Sequence, residues 1–205
     1  MIRDDYLTIL EPGHAQTRVL GSRFLGSALP TNDEGEREQH LDAERKRYHD
    51  ATHWCHAVRF GIEPSILERA SDAGEPKGTA GTPILREIQA RGLTNTLVIV
   101  TRYFGGTKLG TGNLARAYAD CAAQTLENAA TVQRHMTQSL LVACPYDLQA
   151  VVYHVAQEYA AAVEPQSSAE EAMFLVHVRA GAVEIFSAAL GEECRGRVRI
   201  QRVTP

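Results

Sequence analysis

The sequence lacks any apolar run of the length, about 18 residues, that would indicate a membrane-spanning helix. Its first residues, MIRDDYLTIL, also lack the long apolar core of a secretory signal peptide. We therefore predict a cytoplasmic protein that does not associate with a membrane.

Cysteines are few, and none belongs to a C-x-x-C pair. They are far apart in the sequence, at Cys55, Cys121, Cys144 and Cys194. We expect free thiols packed as small apolar residues. On a strand, His53 and Cys55 would share one face, but two ligands are fewer than the four of a usual zinc site. A packed His53 beside a buried Cys55 is favoured over a metal site or a Cys–His nucleophile pair. We assign no metal, no cofactor and no catalytic residue.

An excess of basic residues is also missing. The 205 residues include 21 Lys and Arg against 25 Asp and Glu, which gives a net charge of −4. No global positive field attracts nucleic acid, so any contact with RNA or phosphate needs a local patch. The chain length and the shares of hydrophobic (44%) and charged (22%) residues fit a globular protein of two domains.

The first part of the chain predicts both strands and helices. Apolar and β-branched runs indicate the strands, and apolar residues at helical spacing indicate the helices. The predicted strands are 5–10, 15–29 with a break at Gly21, 54–60 and 96–100. The predicted helices are 34–49, a helix that Thr82 caps and Gly92 ends, and 112–127.

From about residue 131 the pattern restarts as strand, helix, strand, strand, helix and strand. The predicted strands are 136–143, 161–167, 172–179 and 195–203, and the predicted helices are 145–160 and 182–190. This order is typical of a ferredoxin-like domain. We predict an α+β protein with domains at 1–130 and 131–205.

Two glycine-rich loops are the least ordinary feature of the sequence. The first loop, GEPKGTAGT, spans residues 74–82, and the second loop, GGTKLGTG, spans residues 105–112. Each leads into a predicted helix, and free backbone N–H groups at the start of a helix form a generic anion site. The second loop is not a Walker A loop, because Lys108 is followed by Leu109 rather than by Ser or Thr.

We predict that the two loops form a ligand-binding or phosphate-binding surface. The candidate binding residues are Lys77, Gly78, Thr79, Gly81, Arg102, Tyr103, Gly105, Gly106, Lys108, Gly110, Thr111 and Gly112. Supporting positions are Arg23, His53, Asp72 and Glu75. The alternative is that the glycines serve only tight turns. For Asp72, turn hydrogen bonds are favoured over a paired-carboxylate site with Glu75.

The same loops carry a family resemblance. The stretch SDAGEPKGTAGTPIL, followed by VIVTRYFGGTKLGTGNLARAYADC, resembles the signature of the IMPACT/YigZ family. The resemblance extends upstream to Ser22-Arg23-Phe24 and to residues 51–57, and one departure is Asn113, where a glycine is expected. It implies an N-terminal domain with a left-handed βαβ fold, similar to domain IV of elongation factor G. It also implies a ferredoxin-like C-terminal domain similar to domain V of that factor, and a link to translational control.

A separate basic stripe is predicted near the end of the chain. A strand at 195–203 would place Arg195, Arg197 and Arg199 on one face, and arginine side chains suit phosphate contacts. The equally weighted alternative is a solvated sheet face that pairs with nearby acidic residues.

Two functional hypotheses follow. The first is a non-enzymatic, translation-associated regulator that binds RNA, the ribosome or a ribosome-associated protein through the glycine-rich surface, with the arginine stripe extending the contact. The alternative is an enzyme that acts on a phosphorylated or nucleotide-like small molecule. The sequence shows no convincing metal-binding carboxylate set and no clear catalytic base for the alternative.

Overall fold

The computed structural model describes residues 4–62 and 65–203. They form two compact units. One spans Tyr6–Arg134, and the other combines the start of the chain, up to Asp5, with the residues from His135 onward. The sequence-based domains, 1–130 and 131–205, do not assign the first residues of the chain to the second unit.

The N-terminal unit is built on a five-stranded sheet with the order β2-β3-β6-β4-β5. Its strands are β2 (Gly13–Val19), β3 (Ser22–Pro30), β4 (His53–Phe60), β5 (Leu67–Ser71) and β6 (Thr96–Tyr103). Neighbouring strands are antiparallel in each pairing. In a separate two-stranded sheet, β1 (Asp5–Glu11) pairs with β7 (Ala130–His135).

The central strand β6 explains how the sheet is covered. Every residue from Thr96 to Arg102 is buried, as predicted from the apolar run TLVIV, because helices pack on both faces. On one face Val98 and Val100 join the core of α2 (Gly81–Ala90) and α3 (Thr111–Glu127). On the other face Leu97 and Ile99 join Leu41 of α1 (Glu34–Arg47).

The start of α2 differs from the prediction. Thr82 does not cap this helix, because the helix already begins at Gly81. The N–H groups of Ala80 and Gly81 donate instead to the carboxylate of Asp72. The predicted end of α2 is confirmed. Arg91 is the C-cap residue, and Gly92 follows with a φ of 64° that suits glycine.

The second unit has the predicted ferredoxin-like order. Its elements are β8 (Thr137–Cys144), α4 (Gln149–Glu158), β9 (Ala162–Gln166), β10 (Ala172–Arg179), α5 (Val183–Glu193) and β11 (Arg199–Arg202). The sheet order is β11-β8-β10-β9, and all pairings are antiparallel. Apolar residues of both helices, such as Val152 and Phe186, pack with Val142 and Val176 of the sheet.

The predicted strand at 195–203 was wrong at its start. The helix α5 continues to Glu193, and Arg195 and Gly196 follow in a turn with φ values of 52° and 73°. The strand therefore begins only at Arg199, and Arg195, Arg197 and Arg199 do not form a stripe on one strand. Two of these side chains form ion pairs: Arg197 lies 3.3 Å from Asp147, and Arg199 contacts Glu171.

Asp4 is anchored within the second unit. The carboxylate of Asp4 accepts hydrogen bonds from Arg179 Nε at 2.8 Å, Arg179 Nη2 at 3.1 Å and the Gly181 N–H at 3.0 Å. The hydrogen bonds from Arg179 lower the pKa of Asp4 to about 2.

Across both described segments, none of the helices has the length and apolar composition that crossing a bilayer requires.

Candidate functional site

The N-terminal unit contains a cavity of about 380 Å³ beside the glycine-rich loops. Strands β4 and β6, both loops and the start of α3 contribute to its wall. The lining residues are His53, Glu75, Pro76, Arg102, Phe104, Lys108, Leu109, Gly110, Thr111 and Leu114. A concave site of this size, with apolar walls and a few polar groups, is typical of small-ligand binding.

A buried ion pair lines this cavity. Glu75 and Arg102 each have side chains only 5% exposed, and Arg102 Nη1 donates to Glu75 Oε1 at 2.6 Å. The Tyr118 hydroxyl donates to the same oxygen at 2.8 Å, and Arg102 Nη2 donates to Ser22 Oγ at 3.1 Å. Burial raises the pKa of Tyr118 far above its usual range, so this hydroxyl remains a donor. The network fixes the orientation of the Glu75 carboxylate.

The second oxygen of Glu75 faces His53. The Nε2 atom of His53 is 3.8 Å from Glu75 Oε2, which is too far for a hydrogen bond. Its Nδ1 atom is 2.9 Å from the carbonyl oxygen of Ala73, so Nδ1 carries the hydrogen and Nε2 of the neutral ring is an acceptor. With the ring neutral, two acceptors therefore face each other at the cavity wall, whereas with the ring protonated the two groups form an ion pair.

Backbone N–H groups of the first glycine-rich loop donate hydrogen bonds to the carboxylate of Asp72, which lies just before the loop. Asp72 Oδ2 accepts from the Gly78 N–H at 2.7 Å, and Oδ1 accepts from the N–H groups of Ala80 and Gly81 at 3.0 and 2.9 Å. Burial opposes the charged form of Asp72, but these hydrogen bonds outweigh it, and the pKa of Asp72 lies below its ordinary value. Asp72 thus makes the turn hydrogen bonds that the sequence favoured.

These hydrogen bonds change the assignment of the first loop. The predicted binding residues Lys77, Gly78, Thr79 and Gly81 do not line the cavity. Thr79 Oγ1 donates to the carbonyl oxygen of Pro76 at 2.6 Å, so its hydroxyl serves the loop as well. The carboxylate of Asp72 already accepts from three backbone N–H groups of this loop.

The second loop remains open at the start of α3. Gly110 is the N-cap residue, with a φ of 76° and a ψ of 153°, and among the described residues no side chain caps the helix. The first backbone hydrogen bond of the helix runs from the Leu114 N–H to the Gly110 carbonyl oxygen at 2.9 Å. The preceding N–H groups of the first turn have no partner four residues back, and Gly110 and Thr111 line the cavity beside Lys108.

The remaining predicted residues do not line the cavity. The guanidinium of Arg23 stacks 4.3 Å above the ring of Tyr103, whose hydroxyl donates to Asp50 at 2.7 Å. The Gly105 N–H donates to Ser22 Oγ at 3.2 Å. A Cβ atom at Gly105 would lie 2.0 Å from the carbonyl carbon of Gly21, so only glycine fits there. The neighbouring Gly106 has a φ of 87°, and Gly112 lies in the first turn of α3.

Cys55 is a packed thiol, as the sequence favoured. Its Sγ donates to the carbonyl oxygen of Asp72 at 2.9 Å, and burial raises the pKa of Cys55 to about 12. A thiol with this pKa is protonated at neutral pH and is a poor nucleophile. Within residues 4–62 and 65–203, no three His, Cys, Asp or Glu side chains are grouped as metal ligands.

Comparison with known proteins connects this site with a family. Residues 20–126 match the family model described as the Impact N-terminal domain. The chain belongs to the IMPACT family. It is 30% identical over 196 residues to the family member YvyE of Bacillus subtilis, covering 96% of this chain and 90% of the relative. It is 27% identical over 198 residues to YigZ of Escherichia coli, covering 96% and 97%.

A solved structure supports the architecture of this IMPACT family protein. A crystal structure of a hypothetical protein superimposes with a TM-score of 0.76 and 26% sequence identity, covering 99% of both chains. The family resemblance seen in the two glycine-rich loops is therefore confirmed, and so is the two-domain α+β fold.

The sequence did not reveal which residues of the IMPACT domain form the centre of the site. Glu75 was assigned a supporting position, and Tyr118, Ser22 and Leu114 were not assigned to the site. A weak signal existed for Tyr118, because a tyrosine on the apolar face of a helix needs a hydrogen-bond partner for its hydroxyl. No sequence pattern indicated that this partner is Glu75.

Proposed function

We propose that this IMPACT family protein is a translation-associated regulator that binds RNA, free or in the ribosome, and holds one phosphate group at the start of α3. The family resemblance supports the link to translation. The observation that carries the phosphate site is the uncapped start of α3, with Gly110 and Thr111 in the wall of a cavity that also contains Lys108.

The local charges favour an anion at this place. Glu75 offsets the charge of Arg102 through the buried ion pair. The exposed Lys108 and the positive end of the α3 dipole then provide the positive potential of the cavity. Hydrogen bonds from backbone N–H groups to a charged phosphate are shorter and stronger than neutral ones. Such contacts position RNA without reading its bases.

The second unit is not included in the proposed surface. Of the three arginines of the expected stripe, Arg197 and Arg199 form ion pairs with acidic side chains. The size of the cavity also suits a small phosphorylated molecule, which is the alternative function. The salt dependence of binding distinguishes the two functions, because RNA binding weakens steeply as the salt concentration rises.

The test is co-sedimentation with purified ribosomes at low and at physiological salt. We would compare the wild type with Lys108→Ala and with Lys77→Ala. Both variants lose one exposed lysine of a glycine-rich loop, but Lys77 does not line the cavity. We expect salt-dependent binding that Lys108→Ala weakens and Lys77→Ala leaves unchanged, with a salt slope lower by about 1 for Lys108→Ala.

Equal weakening in both variants would argue for a nonspecific charge effect and against the α3 site. Absence of co-sedimentation at low salt would exclude direct ribosome binding. A thermal-shift screen of phosphorylated metabolites would then test the alternative.

A further inference from the structure

One oxygen of the buried Glu75 carboxylate is available to a ligand. Arg102 and Tyr118 donate to Oε1, whereas Oε2 accepts no hydrogen bond from any of residues 4–62 and 65–203. The side chain is only 5% exposed, and it lines the cavity, where Oε2 lies 3.8 Å from His53 Nε2. A buried charged acceptor without a donor costs free energy. A ligand that enters the cavity can supply this donor in place of water.

His53 specifies the kind of donor. Its Nε2 atom is an acceptor in the neutral ring and lies 3.8 Å from Glu75 Oε2. Two facing acceptors are satisfied together by a group that offers two hydrogens. The neighbouring 2′- and 3′-hydroxyls of a ribose offer two, and a carboxylate that accepts from ribose hydroxyls is a known mode of nucleotide binding.

The rest of the cavity fits the other parts of a nucleotide. The uncapped start of α3 and Lys108 suit a phosphate. Phe104, 46% exposed at the cavity, offers a ring on which a base can stack. Arg102 Nε is a further buried donor without a hydrogen-bond partner in the part of the chain that the structure describes.

We infer that the cavity binds a nucleoside 5′-phosphate unit whose free ribose hydroxyls donate to Glu75 Oε2 and His53 Nε2. The inference rests on the proposed function and names the part of the RNA that enters the cavity. This chemistry occurs both in a free ribonucleotide and in the 3′-terminal nucleotide of an RNA chain. An internal nucleotide lacks the free 3′-hydroxyl.

The test compares ligands that differ only in these hydroxyls, with the full chain at pH 8. Fluorescence anisotropy would measure binding of an RNA oligonucleotide and of the same RNA ending in a 2′,3′-dideoxynucleotide. Thermal shift would compare a nucleoside 5′-monophosphate, its 2′,3′-dideoxy analogue and inorganic phosphate. We expect the hydroxyl-bearing ligand of each pair to bind about tenfold more tightly, because the analogue leaves buried acceptors unsatisfied.

Two variants assign this preference to the proposed acceptors. Glu75→Gln keeps the shape of the side chain, and we expect it to reduce the preference to less than about twofold by removing the charged acceptor. His53→Ala leaves the pair of Glu75 and Arg102 in place, so it serves as the second variant if Glu75→Gln does not fold. We expect His53→Ala to reduce the preference as well.

Each outcome decides between the two proposals. Equal binding of both RNAs would overturn the ribose inference and leave RNA binding intact. The same preference among free nucleotides, without RNA binding, would support the ribose inference and overturn the proposed function. Inorganic phosphate that binds as tightly as the nucleotide would overturn the ribose inference. Absence of binding by every ligand would overturn both proposals.

Discussion

The two glycine-rich loops resemble each other in sequence but differ in whether a side chain accepts hydrogen bonds from their backbone N–H groups. Both contain a lysine and threonines and lead into a helix. In the first loop, the carboxylate of Asp72 accepts three backbone hydrogen bonds near the start of α2. In the second loop, Gly110 leaves the start of α3 uncapped beside the cavity. A glycine-rich helix start is therefore an open anion site only where no acidic side chain of the chain itself occupies it.

The largest expected effect comes from removing the carboxylate of the first loop. Asp72→Ala leaves three backbone N–H groups without their charged acceptor, and we expect the free energy of unfolding to fall by about 3 kcal/mol. Urea denaturation measures this loss. The control is Asp120→Ala, which removes an exposed carboxylate of α3 and should change stability by less than about 0.5 kcal/mol.

The same variant can make the two loops alike. In Asp72→Ala the N–H groups of the first loop lose their acceptor, and a small carboxylate such as formate can replace it. We expect formate to raise the melting temperature of Asp72→Ala more than that of the wild type. An equal response of both proteins would contradict the view that Asp72 acts as the anion of its loop.

A smaller effect is expected from the backbone of the second loop. Gly110→Ala forces an L-residue to a φ of 76° and a ψ of 153°, and we expect a loss of about 2 kcal/mol. Gly112→Ala is the matched control, because no atom lies within 4 Å of a Cβ at either position and Gly112 is helical. Urea denaturation should show little change for Gly112→Ala. Equal losses would indicate that the Gly110 conformation is not the cause.

The smallest effect is the dependence of the first loop on pH. The folded-state pKa of Asp72 is lowered below 3.8, so its stabilising contribution is complete above that pH and is lost as the pH falls through the folded value. We expect the difference in unfolding free energy between the wild type and Asp72→Ala to be smaller at pH 3 than at pH 6. A constant difference would mean that the charge of Asp72 does not stabilise the loop.

The sequence predicted regular structure well where apolar periodicity was strong. The run TLVIV identified β6, and the apolar face of residues 112–127 identified α3. It missed β5, because the segment LERAS is short and mostly exposed at a sheet edge. It also extended the last strand too far. In RGRVR, arginine alternates with a small or apolar residue, as it would in a strand, but Arg195 and Gly196 lie in a turn.

The site was predicted less completely than the fold. The glycine pattern led to residues beside the cavity, since Gly110 and Thr111 line it, and their role in binding stays a prediction. It could not show that Asp72 closes the first loop, because carboxylates in loops have many available partners. It also could not show that Glu75 pairs with Arg102, since the two residues are 27 positions apart and meet only when β6 and the first loop are folded.

The ion pair between Asp4 and Arg179 gives the chain a particular order of assembly. The two residues are 175 positions apart, so Asp4 leaves the ribosome long before its partner is synthesised. The N-terminal unit can fold in the meantime, while Asp4 lacks its partner until the end of β10 is synthesised. A purification tag close to Asp4 would therefore be expected to disturb the second unit, which is synthesised last, rather than the five-stranded sheet.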